Sequence, residues 1–273
     1  MPSDFNRFLQ HLAHAPAILV TVVEARGSVP REKGAWMAVG VQSQIGSIGG
    51  GHLEWDALRQ SRECLAQTGA AGFKEWTRTV ALGPSLGQCC GGSVQLRFEW
   101  VDMQDSARLA QRLAVAAPPV ALFGGGHVGR AIVQALQPLS FQVRWIDSRD
   151  QVFPENLDGE VLTEHSEPVE AAVADLAPGS RVLIMSFSHA EDLDTVAACL
   201  LRIRRLNDLP FVGLIGSATK WATFKRRLAA RGFSDGELAR VTCPIGLPGI
   251  TGKEPAVIAA SVVAQLLLIE SGD

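Results

Sequence analysis

Four short stretches of the chain hold residue types that do chemistry. The first is Ser85-Leu-Gly-Gln-Cys89-Cys90-Gly91-Gly92. A thiolate is a soft ligand for metals and takes part in sulfur transfer, and the two glycines let the backbone approach a bulky ligand. Adjacent side chains in a Gly-rich loop cannot both point into one core, so the pair reads as functional rather than as buried packing. The second stretch joins two loops, Glu24-Ala-Arg26-Gly27-Ser28-Val-Pro30-Arg31 and Gly49-Gly50-Gly51-His52-Leu-Glu54. The first loop offers two guanidiniums and a hydroxyl. The second puts glycines at a helix start, with backbone N–H groups expected to aim outward. Both suit an anion, and with the cysteine loop they read as one site.

The third stretch, Val120-Ala-Leu-Phe-Gly-Gly-Gly-His-Val-Gly129, places Gly124, Gly126 and Gly129 as GxGxxG between a strand and a helix. Gly124 permits the tight turn, Gly126 lets a phosphate approach the backbone, and Gly129 lets the helix pack on the sheet. The next strand closes on Asp147, where an acid bonds a ribose 2′-OH. A carboxylate there favours NAD over NADP, with Arg149 nearby blurring the preference. His127, on the first helical turn, reads as a surface residue. The fourth stretch, Ser186-Phe-Ser-His189-Ala-Glu191-Asp192, follows a strand at the carboxyl end of the sheet, where open α/β folds bind ligands. His189 is a polar site candidate there, while Ser188 and the acids serve equally well as helix caps.

The elements that position these groups follow from periodicity. Phe5, Phe8, Leu9 and Leu12 form a helical stripe behind a Ser3 or Asp4 cap. Ala17–Val23 is a buried strand, 35–41 and 44–48 a hairpin, 52–67 a helix, 75–82 and 94–101 two more strands, and 106–116 a helix stopped by Pro118-Pro119. Beyond that pair strands and helices alternate: strands at 120–123, 141–146, 161–163, 181–187 and 211–215, and helices at 127–136, 167–176, 191–205, 218–231 and 255–269. The reading is an N-terminal α/β domain, 1–117, followed by a doubly wound parallel-sheet, Rossmann-like domain, 118–273.

Composition excludes several classes. At 47% hydrophobic and 19% charged, the 273 residues are too apolar for a disordered chain. A net charge of −3 gives no footprint for nucleic acid or an anionic membrane. The absence of tyrosine removes dehydrogenases built on a Tyr–Lys pair. Five cysteines without disulfide or zinc spacing fit a reduced, cytoplasmic compartment. No basic and apolar leader opens the chain, and the apolar stretch from Pro255 to Ile269 is short for a membrane span and reads as a buried helix. Acids dominate from Asp150 to Asp194 and bases from Arg202 to Arg231. These are two solvated helical faces or, on the sharper reading, an electropositive surface for an anionic cofactor or an acidic partner.

Nearly end to end, the chain resembles the XdhC/CoxI family of xanthine dehydrogenase accessory proteins. The resemblance is carried by Val22-Val-Glu-Ala-Arg-Gly-Ser-Val-Pro30, Ile48-Gly-Gly-Gly-His-Leu-Glu54, Leu86-Gly-Gln-Cys-Cys-Gly-Gly92, Phe123-Gly-Gly-Gly-His-Val-Gly129, Asp147, Ser186-Phe-Ser-His189, Gly213-Leu-Ile-Gly-Ser217 and Pro244-Ile-Gly-Leu247. It implies a cytoplasmic chaperone, more an accessory protein than a turnover enzyme. Such a protein binds the molybdenum cofactor (molybdopterin), holds it while a terminal oxo ligand is exchanged for sulfido, and passes it to apo xanthine dehydrogenase. A cysteine desulfurase supplies the sulfur, and the family suggests a homodimer. Many relatives carry a cysteine where this chain has His52, so a second thiol at that position is absent.

On this reading no residue is catalytic. Cys90 leads and Cys89 follows as contacts to the metal. Gly91, Gly92, Arg26, Ser28, Gly50, Gly51 and His52 complete the cofactor set in the first domain, and Gly124, Gly126, Gly129, Asp147 and His189 form the set in the second. The competing classes are an NAD-dependent oxidoreductase using the GxGxxG loop, with Cys90 or His189 as its catalytic residue, and a regulatory nucleotide-binding module without chemistry.

Overall fold

A computed structural model of the chain describes residues 4–67, 72–73, 75–82, 91–113, 117–155, 157 and 161–269. They form two compact units divided between Val115 and Ala116.

The first unit is built on a five-stranded antiparallel sheet. Its elements are α1 (Asp4–Leu12), β1 (Ala17–Arg26), β2 (Trp36–Val39), β3 (Gln44–Gly46), α2 (Gly51–Gln67), β4 (Trp76–Ala81), β5 (Ser93–Val101) and α3 (Ser106–Leu113). The strand order is β3-β2-β1-β5-β4. β1 lies at the centre because both of its faces are apolar. Ile18, Val20 and Val22 pack with Leu53 and Ala57 of α2, whereas Ala17 and Leu19 pack with Phe8 and Leu12 of α1 and Leu109 of α3. Burial on both sides explains why the strand reads as a continuous apolar run rather than an alternating one. Glu99 on β5 is only 6% exposed. Arg112 of α3 grips both of its oxygens, at 2.8 and 2.7 Å, so the buried charge is paired by a two-pronged contact.

The second unit is a six-stranded parallel sheet. Its strands are β6 (Pro119–Phe123), β7 (Gln142–Asp147), β8 (Val161–His165), β9 (Arg181–Ile184), β10 (Phe211–Leu214) and β11 (Val241–Thr242), in the order β11-β10-β9-β6-β7-β8. Counted within the unit this is the 3-2-1-4-5-6 order of a doubly wound dinucleotide fold, with its switch point between β6 and β9. On one face α4 (His127–Leu136) and α8 (Pro255–Leu267) pack against Leu122, Trp145 and Leu183. On the other, α5 (His189–Leu206) and α6 (Ala218–Ala230) pack against Phe123, Ile146, Val182 and Ile184.

Three local expectations change. The helix expected over 167–176 is a 3-10 helix, Val169–Asp175, entered through Pro168. β9 stops at Ile184, three residues before the expected end, because the chain turns at Ser186 to start α5. The short helix α7 (Asp235–Leu238) and β11 lie beyond the reach of periodicity.

Half of the basic run, four of the eight cations between Arg202 and Arg231, is paired with acids. Arg231 pairs with Asp194 at 2.6 Å, Lys220 with Asp192 at 2.6 Å, Arg204 with Glu237 at 2.6 Å and Arg202 with Asp208 at 2.6 Å. The sharper reading of a free electropositive surface is corrected at those four cations. Among the described residues no helix is long and apolar enough to cross a membrane.

Candidate functional sites

In the first unit three predicted loops meet at one end of the sheet. β1 ends opposite the start of β5, with Arg26 paired to Ser93. Leu82 N–H donates to the Gly92 carbonyl at 2.8 Å and ties together the two feet of the loop that carries the cysteines. Cys89 and Cys90 themselves lie outside the described residues. Gly92 fits against the carbonyls of Arg26 and Ser28, where a Cβ would collide with backbone, and Gly27 faces Gly92 across the same contact. That packing is a reason for a glycine at position 92 beyond ligand approach. Gly91, by contrast, has open space where a side chain would stand. Gly49 packs on Pro30 and Arg31, which brings the triple-glycine turn to the same loops.

The turn itself differs from the expectation. Gly49, Gly50 and Gly51 all have positive φ, at 125°, 72° and 61°, a conformation that disfavours any side chain. The Gly49 and Gly50 amides are not free. Glu54 Oε2 accepts from Ile48 N–H at 3.0 Å, Gly50 N–H at 3.1 Å and Ser47 Oγ at 2.5 Å, and Gly49 N–H donates to Ser47 Oγ at 3.1 Å. The outward anion cradle predicted at Gly49–Gly51 is therefore filled, at Ile48 and Gly50, by the chain's own carboxylate. Burial raises the Glu54 pKa. The bonds from Ser47, Gln44, Gly50 and Ile48 outweigh it, and the net shift is downward. An acid at the start of a Gly-initiated helix is a legible capping signal.

The groups left for a ligand are at the rim. Arg26 has 78% of its side chain in solvent and a single bond to Glu24 at 3.2 Å. Ser28, Arg31, Gly51 and His52 are exposed. His52 lies against Trp55, ring centroids 5.4 Å apart.

The second unit gathers its predicted residues at the carboxyl edge of the sheet. Gly124 has φ 126° and abuts the Met185 backbone, while Gly129 abuts the Gly124 carbonyl. These two glycines have the turn and packing roles expected of them. Gly126 is the N-cap of α4, carries no side-chain cap, and faces open space. His127 is exposed. Trp145 Nε1 braces the turn by donating to the Gly124 carbonyl at 2.9 Å.

Asp147 requires a correction. It is 1% exposed and already holds four bonds. Oδ2 accepts from Gly125 N–H at 2.5 Å and Arg149 Nη2 at 2.9 Å. Oδ1 accepts from Arg149 N–H and Nε, both at 2.9 Å. Burial raises its pKa, but the Arg149 and Gly125 bonds prevail and hold the carboxyl below its ordinary value. The acid expected to be open to a ribose is engaged by its own chain.

Past β9, Ser188 caps α5 by accepting from Glu191 N–H, so the capping alternative holds for that residue. His189 is exposed and edge-on to Phe224, centroids 6.3 Å apart. Beside it lies a buried pair that periodicity does not reveal. Asp192, 2% exposed, accepts from Ser186 N–H at 2.7 Å and Lys220 Nζ at 2.6 Å. Lys220 also donates to the Ile215 carbonyl at 2.8 Å.

Two thiols elsewhere are held in their protonated form by burial. Burial pushes Cys199 up to about 12 and Cys243 up to about 11, which leaves both as protonated thiols.

Known families match both units. The model of the XdhC Rossmann domain covers residues 120–266, more than half of the chain, and the model of the XdhC and CoxI family covers residues 11–76. The chain belongs to the XdhC family. A crystal structure of a xanthine dehydrogenase from Bacillus halodurans shares the XdhC-type fold of this chain with a TM-score of 0.77. It is 19% identical and the match covers 98% of this chain and 95% of that one. At that identity the likeness is one of fold. YqeB of Escherichia coli K12, an uncharacterized protein, is 28% identical over 263 residues, 94% of this chain and 44% of YqeB. This XdhC-family chain thus spans less than half the length of that curated relative.

Proposed function

We propose that this XdhC-family protein is an accessory factor for a molybdenum hydroxylase: it binds the molybdenum cofactor in its first unit and delivers it to apo xanthine dehydrogenase. The observation that carries the reading is the meeting of the Arg26–Ser28 loop, the Gly49–Gly51 turn and the feet of the Cys89-Cys90 loop at one end of the antiparallel sheet.

The residues fit such a cargo. Open space at Gly50 and Gly91 leaves room for a bulky ligand. Arg26 and Arg31 are exposed cations for its phosphate. Cys90, joined to Gly91 by one peptide bond, is a soft ligand tethered to the same place. Because Glu54 takes the Ile48 and Gly50 amides, binding of the phosphate falls chiefly to the arginines. When bound, the cargo would supply the metal centre that is to be sulfurated. The protein's part is to hold and shield it, with the sulfur supplied by a cysteine desulfurase in a cytoplasmic setting.

The test is transfer. Loaded protein mixed with apo xanthine dehydrogenase should restore xanthine oxidation. Failure of loaded, folded protein to restore any activity would overturn the delivery role.

A further inference from the structure

An acid at the end of β7 in a doubly wound fold ordinarily reads the free 2′-hydroxyl of an adenine ribose, and here it has no capacity to do so. An ionised carboxylate offers about four lone-pair sites, and Asp147 has used four, three of them on Arg149. A ribose would have to displace charge-assisted bonds from a buried acid, whose guanidinium partner would then be left without its counter-ion.

Arg149 is presented differently. It directs Nε and Nη2 to Asp147, its Nη1 takes no part in either bond, and its side chain is 37% exposed. One face of the guanidinium lies 4.6 Å from the centroid of Phe187, a ring 65% exposed. A second guanidinium, Arg130 on the first turn of α4, bonds the carbonyls of Gly125 and Val152 on the same turn and loop.

Two more acids stand close, and the charge of Glu191 acts on Arg149. Glu191 accepts from Ser148 Oγ at 3.0 Å and from Phe187 N–H at 3.2 Å. Asp150 lies 3.5 Å from His165 Nε2. The carboxyl end of β6 is therefore rimmed by an Asp147–Arg149 ion pair whose guanidinium keeps Nη1 unengaged and a side chain partly in solvent.

We infer that the carboxyl ends of β6 and β7, beside the start of α4, take an adenine nucleotide bearing a 2′-phosphate, with Arg149, held by Asp147 and backed by Phe187, as the residue that selects it. This inference concerns the second unit alone and does not rest on the cofactor site proposed in the first. The fixed Asp147 contact orients the guanidinium so that little side-chain freedom is lost on binding. The open face at Gly126 leaves room for the 5′-phosphate at the start of α4. The preference for NAD expected from Asp147 in sequence is thereby reversed.

The experiment is calorimetric titration of the full chain with adenosine 2′,5′-bisphosphate and with 5′-AMP, then with NADP+ and NAD+. The 2′-phosphorylated member of each pair should bind at least about ten-fold tighter, the worth of one charge-assisted contact. Arg149→Ala should abolish that preference. It should also strengthen 5′-AMP binding, because it frees the Asp147 oxygens for the 2′-hydroxyl. Arg149→Lys keeps a cation for Asp147 without the planar fork, and should show an intermediate preference with an unchanged melting temperature. Equal binding within each pair, tighter binding of the unphosphorylated member, or no binding of any of the four at millimolar concentration would overturn the inference.

Discussion

The two units treat their charged candidate groups in opposite ways. In the first, Arg26 stands mostly in solvent with one exposed partner, and Ser28, Arg31 and His52 are open. In the second, the acids are already taken: Asp147 by Arg149, Asp192 by Lys220 and Glu191 by Ser148. An open arginine gains its full electrostatic partner only when a ligand arrives, so ligand binding there draws directly on that contact. A group already paired gives a ligand only what remains after exchange. The same rule explains a filled place in the first unit, the Glu54-capped turn, which serves as scaffold for the loops around it.

The contrast can be broken first at the glycines. Gly124→Ala drives a Cβ into the Met185 backbone at a positive φ and should cost the second unit about 3 kcal/mol or its cooperative unfolding. Gly91→Ala meets nothing within 4 Å and should stay within about 0.5 kcal/mol. Denaturant melts followed by circular dichroism compare the two; equal losses would erase the distinction.

Of like size is Lys220→Ala. It strands the buried Asp192 charge and should destabilise the second unit by about 3–5 kcal/mol, whereas Arg26→Ala should leave the first unit's midpoint unchanged. Arg26→Ala acts on affinity instead. Cofactor titration should show an approximately ten- to hundred-fold loss, of which Arg26→Lys recovers only part. Wild-type affinity in Arg26→Ala would remove that residue from the site.

The smallest effect is in acid. Burial opposes ionisation of Glu54 and Glu99, but their hydrogen bonds, and for Glu99 its arginine partners, hold both below the ordinary 4.5. The stability they contribute is complete above that value and is lost as pH falls through the lowered pKa. Melting temperature should therefore drop below about pH 4.5, and Glu54→Gln should flatten that drop. A variant as acid-sensitive as the wild type would show that Glu54 does not carry it.

Much of the architecture was legible in sequence. Alternating strands and helices gave the parallel sheet, and α4 runs from 127 to 136 as periodicity placed it. Gly124 and Gly129 have the turn and packing roles that their spacing indicates. What sequence could not give was occupancy. A GGG turn reads as a cradle until Glu54 is seen inside it, and an Asp after β7 reads as a ribose acceptor until Arg149 is seen on both its oxygens. Lys220 and Asp192 stand 28 positions apart, on two helices brought together only by the sheet. Such pairs leave no local pattern, because the energy that forms them is tertiary.

The central claim is that the first unit holds the molybdenum cofactor through the Cys89-Cys90 loop. The direct measurement is molybdenum and pterin content of wild type and Cys90→Ala, each purified from a host that makes the cofactor. Wild type should carry both, and Cys90→Ala should lose most of both with an unchanged circular dichroism spectrum. Folded wild type free of both, or a folded Cys90→Ala loaded as fully as wild type, would contradict the account.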